Sequence, residues 1–231
     1  PNALRPTSSP MRSICTRQNI QHSARLSSGQ ALRLALAGAL VGCASGGGYG
    51  TAAATRGAAR KVDNGASELR FVTTKNTNVA ETQKFTRLDG AIAPGGAVSL
   101  VVDLSSVETQ VPVRNERMQS LLFEIARFPS AEFKASVDMK QLGGLALGDS
   151  LDLDVPGKLT LHSVSKDITA ALRVVRLEND RLLVSTRAPV LISASEHDLT
   201  GGIEQLRVLM GLPNIVGTVP VTFSVVYQPQ T

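Results

Sequence analysis

His162 and Ser163 are neighbours in this 231-residue chain, an imidazole and a hydroxyl of the kinds that serve as base and nucleophile in hydrolases. Neighbours on a strand project to opposite faces, so side chains placed in this way cannot exchange a proton. No G-x-S-x-G elbow accompanies them, and the only other histidine beyond the first 42 residues is His197. Glu196-His197-Asp198 gathers two carboxylates and an imidazole, a donor set for a divalent cation. Consecutive residues rarely converge on one ion, and no H-x-x-x-H spacing supports them. Asp149, Asp152 and Asp154 lack the glycine and closing glutamate of a calcium loop, and their alternation with Leu151 and Leu153 reads as a solvated strand face. Gly95-Gly96, Gly143-Gly144 and Gly201-Gly202 lack the Lys and Ser of a phosphate loop and read as turns. These residues argue against an enzyme, a metal site and a resident cofactor.

Cys43 is the exception. Residues 1–42 form an export leader: they carry five arginines and no acidic residue, and Arg33 precedes the nine-residue apolar run Leu34 to Gly42. A transmembrane helix needs about 20 apolar residues, so this run does not make one. Met11 is the first methionine, and residues 1–10 read as untranslated sequence or a truncated start. Leu40-Val41-Gly42-Cys43-Ala44 resembles the lipobox of bacterial lipoproteins. The resemblance implies a diacylglyceryl thioether on Cys43 and cleavage after Gly42. It also implies a durable membrane anchor, each buried CH₂ contributing about 0.8 kcal/mol. Ala44, rather than Asp, after the cysteine implies a lipoprotein on the periplasmic side of the outer membrane of a bacterial envelope. Residues 43–66, rich in Gly and Ala, read as a tether.

The net charge of +5 suggests nucleic acid until it is located. Five of the 24 basic residues lie in the leader, leaving 19 against 19 Asp and Glu from Cys43 onward. There is no Trp, and only six Phe and two Tyr to stack on bases, so a nucleic-acid partner is excluded. With Cys15 in the leader and Cys43 at the cleavage site, residues 67–231 contain no thiol for a disulfide or zinc site.

Residues 67–231 read as one domain of mostly period-two pattern. Val98, Leu100, Val102 and Leu104 share one strand face, and Phe133, Ala135, Val137 and Met139 another. The segments 168–174, 182–192 and 219–227 repeat the pattern, and earlier strands are expected over 68–75, 84–92 and 151–162. About eight strands joined by short turns favour an all-β barrel or sandwich. Two short helices interrupt it. Met118, Leu121, Leu122 and Ile125 form a helical face within 113–126, as do Ile203, Leu206 and Met210 within 202–210, which Gly211 and Pro213 end.

Several motifs occur in a telling order. A strand ends in Ser106-Val107-Glu108-Thr109, and a helix opens at Arg114-Asn115-Glu116-Arg117. Phe128-Pro129 then leads into Ala131-Glu132-Phe133, and Gly157-Lys158-Leu159-Thr160-Leu161-His162 runs into a strand end. The series resembles the YceI-like family of bacterial envelope proteins over about residues 67–227. The resemblance implies an eight-stranded antiparallel lipocalin-like barrel with a long isoprenoid or other amphiphilic lipid in its channel. Ser163, where the family's pattern has Gly, and the segment Ser193 to Leu199 depart from that pattern.

Inward candidates for the channel wall are Phe71, Phe85, Val102, Phe133, Val137, Leu172, Val184, Phe223 and Val225. Alternation alone leaves open whether they line a channel or pack into a solid core. The expected function is non-enzymatic binding or carriage of a polyprenyl or quinone lipid by an envelope lipoprotein. Its partners would be that lipid, the membrane through the anchor and, as a further candidate, a second copy in a homodimer. The alternative is an interaction or assembly lipoprotein with a filled barrel that works through its surface.

Overall fold

A computed structural model describes residues 59–230. Eleven strands follow in chain order: β1 Arg60–Lys75, β2 Val79–Phe85, β3 Leu88–Ile92, β4 Ala97–Asp103, β5 Val107–Glu108, β6 Ser130–Ser136, β7 Ser150–Leu161, β8 Val164–Arg176, β9 Leu182–Thr186, β10 Val190–Ser193 and β11 Thr218–Pro229. β2 runs on into β3 and β9 into β10, and β5 is a two-residue rung, so the wall is an eight-stranded antiparallel barrel. Pairing of β11 with β1 closes it, which leaves no open sheet edge along that seam. Most inward residues are apolar, whereas the outer face carries ion pairs such as Arg173–Asp152 at 2.8 Å and Lys158–Asp167 at 2.8 Å.

The described residues include three short α-helices: α1 Pro112–Arg117, α2 Met139–Gly143 and α3 Thr200–Leu209. The expected helix over 113–126 is α1 followed by one wide π-turn, Met118–Leu122, in which the Phe123 N–H reaches Met118 O at 2.9 Å. α3 packs on that turn through Gly202, where a Cβ would lie 2.5 Å from Leu121 O; only glycine permits this approach.

The structure corrects several boundaries. Residues 60–66, expected in the tether, belong to β1, whose register slips between Asp63 and Glu68 at a bulge that breaks the alternation. The continuous strands expected over 84–92 and 182–192 are each interrupted. Met139 is not on the face of β6, which stops at Ser136. Asp138 accepts the Lys140 N–H at 2.8 Å as an N-cap and starts α2 instead.

The two ends of the barrel differ. At the lower end α2 inserts Leu142, and Arg60, almost wholly buried, is held by Asp180 at 2.7 Å; Asp180 also pairs with Arg176. Tyr227 is buried just inside, its hydroxyl donating to Ser99 O at 3.4 Å, and that burial pushes its phenol well above the usual range. At the upper end the sheet pairing is incomplete. β2 meets β5 only at Lys84 and Phe85, and β8 pairs with β9 only from Leu172 onward. α1, the π-turn and α3 gather at this end.

Candidate ligand cavity

A cavity of about 380 Å³ occupies the upper half of the barrel. That is within the roughly 300–1,000 Å³ of small-molecule sites. Its wall is built by alternate residues of successive strands: Leu69, Phe71 and Thr73 of β1, Ala131 and Phe133 of β6, Ile168 and Ala170 of β8, and Val219, Val221 and Phe223 of β11. Phe71 stacks on Phe85 with ring centroids 5.2 Å apart, and Phe85 meets Phe123 at 5.8 Å, forming an aromatic wall. Met118 and Leu122 of the π-turn and Ile203 and Leu206 of α3 complete the roof.

Polar groups concentrate on one side of the mouth. Glu81 accepts from Lys75 Nζ at 2.9 Å and from Arg114 at 2.8 Å, which straps α1 to the exposed edge of β2. The Lys75 hydrogen bond, together with the charge and hydrogen bond of Arg114, holds the Glu81 carboxyl below the usual range against the opposing cost of burial. Arg117 also lines the opening. Deeper in, Gln83 is buried: its amide NH₂ donates to Thr73 Oγ1 at 3.1 Å, while Oε1 has no partner among the described residues. Such a group favours a ligand able to hydrogen-bond to it. Val111, Val113 and Val216, all exposed, edge the same opening.

The nine residues expected on a channel wall divide between two places. Phe71, Phe85, Val102, Phe133 and Phe223 line the large cavity. Val137, Leu172 and Val184 surround a separate small void of about 50 Å³ in the lower half, which Phe133 and Phe223 also touch. Val225 is fully buried and faces neither space. Cys43 lies outside the described residues. Sequence reasoning passed over the polar mouth, whose one legible sign was the pair Arg114 and Arg117 in α1.

The YceI-like domain family matches residues 61–227, almost the whole barrel. The chain belongs to the YceI-like domain family. A curated UPF0312 protein of Enterobacter sp. (strain 638) is 31% identical over 84 residues; that alignment covers 36% of this chain and 40% of the relative's length. The polyisoprenoid binding domain of Saccharophagus degradans implicated in plant cell wall breakdown is 42% identical. The match covers 75% of this chain and 99% of that domain, with a TM-score of 0.73. BcnA of Burkholderia cenocepacia, 17% identical over 71% of this chain and 98% of its own, shares the fold with a TM-score of 0.53.

Residues suggestive of other chemistry have structural settings in this YceI-like domain. His162 and Ser163 are the two turn residues of the β7–β8 hairpin, with φ of 51° and 62°, rather than strand neighbours. The buried His162 ring meets Phe128 edge-on at 4.2 Å and lies 3.5 Å from Glu124 Oε1. His197 is buried, its Nδ1 3.2 Å from Val164 O, while Glu196 and Asp198 are exposed, so the three do not converge. Asp152 and Asp154 bind Arg173 and Arg187 on the outer face, each at 2.8 Å.

Proposed function

We propose that this YceI-like domain binds an isoprenoid or similar amphiphilic lipid, a polyprenyl or quinone compound, without chemical conversion. The carrying observation is the aliphatic and aromatic cavity with Lys75, Glu81 and Arg114 at its mouth. Burial of the tail drives binding at about 25 cal/mol per Å² of apolar surface removed from water. Head-group atoms meet the charged mouth and Gln83. The 42%-identical Saccharophagus domain, named for polyisoprenoid binding, supports this ligand class. The hollow upper half also favours a carrier over a filled barrel acting through its surface. Native mass spectrometry of the purified protein, followed by lipid extraction, is the test. Stoichiometric release of a prenyl lipid is expected; an empty protein that takes up no prenyl lipid would refute the carrier reading.

The carrier acts at a membrane, tethered through acylated Cys43 on the periplasmic side of the outer membrane. The lipobox-like residues Leu40 to Cys43 support this. Palmitate labelling should mark the protein and be lost in Cys43→Ser; equal labelling of the variant would refute the anchor.

A further inference from the structure

We propose that Leu100, Phe133 and Phe223 form a floor that fixes tail length, so that the ligand carries a short prenyl tail rather than one running the length of the barrel. This rests on the carrier reading above. These three residues border both the large cavity and the small void beneath it, and so stand as the partition between them. Two rows of paired residues hold the partition in place. Leu100 faces Phe133 across β4 and β6, and Phe133 faces Leu159 across β6 and β7; Phe223 faces Leu69 across β11 and β1.

The Phe133 ring leans over Gly157, where a Cβ would come within 2.4 Å of its tip. Glycine at that point therefore lets the ring lie across the barrel. Beneath the floor Val225 and Leu182 are fully buried. Farther down, Leu142 and the Arg60–Asp180 pair occupy the end where a longer tail would have to emerge.

The wall residues of β1 run from Leu69 to Lys75, six residue steps. At about 3.3 Å per residue and a tilt of about 40°, that gives a depth of roughly 15 Å. The volume of about 380 Å³ is near the lower limit for small-molecule sites. Both values fit a tail of farnesyl to geranylgeranyl size.

The test compares farnesol, geranylgeraniol and solanesol, which share a hydroxyl head and differ in tail length, by native mass spectrometry on the full chain. The wild type should prefer the two shorter alcohols to solanesol by about tenfold or more, equivalent to about 1.4 kcal/mol. Joint Phe133→Ala and Phe223→Ala substitution should merge the spaces and shift preference from farnesol toward geranylgeraniol. Val221→Phe places a ring one inward position above the floor, within existing space, and should shift preference from geranylgeraniol to farnesol. This second variant keeps the test decisive if the double variant fails to fold. Tight solanesol binding by the wild type, or a preference that Val221→Phe leaves unmoved, overturns the floor while leaving the carrier reading intact. Failure of all three alcohols to bind overturns both.

Discussion

Strand β11 passes through two different environments. Val219, Val221 and Phe223 face an open cavity, whereas Val225 and Tyr227, next on the same inward face, are sealed in packed core. β8 repeats the contrast, with Ile168 and Ala170 above and Leu172 and Val174 below. Residue types hardly differ between the halves; closure of the wall does. Below, β8, β9 and β11 pair continuously and draw the wall in until opposite side chains meet. Above, β8 has no β9 partner before Leu172, and β2 has no β5 partner before Lys84. Those edges are met by a buried histidine, His197, at Val164 O and by the Arg114–Glu81 strap. Helices span a wider gap than strands 4.8 Å or so apart, and the space between them stays unfilled. The same alternation thus yields a packed core or a ligand site according to what stands beside the strand.

The sharpest way to break this contrast is truncation on both sides of the floor. Leu182→Ala, in the packed half, should lose about 2–5 kcal/mol in urea unfolding. Ile168→Ala, whose side chain already faces open space, should lose about 1 kcal/mol, chiefly the transfer energy of its remaining contacts. Equal losses would mean that the upper half is not hollow in solution. Filling the space is the complementary test. Ala170→Trp places an indole in the cavity and should abolish prenyl-lipid uptake while changing apo stability by less than about 1.5 kcal/mol. Unfolding on that substitution would indicate a packed upper half.

A smaller effect is expected at the β7–β8 turn bordering the hollow half. Both turn residues have positive φ, as a type I′ hairpin requires, and neither is glycine. Ser163→Gly should therefore raise stability by about 1 kcal/mol through relief of left-handed strain. The smallest effect concerns the mouth. Because Glu81 titrates below its unfolded range, its contribution is complete above about pH 4.3 and is lost as pH falls through the lower folded value. Amide protection in residues 112–122, measured against the intrinsic exchange rate at each pH, should fall as the Glu81 carboxyl is protonated. Glu81→Gln should reproduce the loosening at neutral pH at a cost of about 0.2–1 kcal/mol.

Much of this was determined by local pattern. Val98-x-Leu100-x-Val102 and Val219-x-Val221-x-Phe223 alternate because a strand puts every second side chain on one face, and that periodicity specifies a β wall whatever surrounds it. The lower pKa of Glu81 and the start of β1 at Arg60 were not legible in this way. Arg60 is buried because it meets Asp180, 120 residues away, and the bulge after Asp63 hides the alternation of its own strand. The division into cavity and core was likewise left to the tertiary structure. Phe223 and Val225 occupy equivalent inward positions two residues apart, and nothing local distinguishes them. Whether such a side chain meets a partner or empty space depends on how far away the opposite wall stands, and that distance is set by strands and helices remote in the chain.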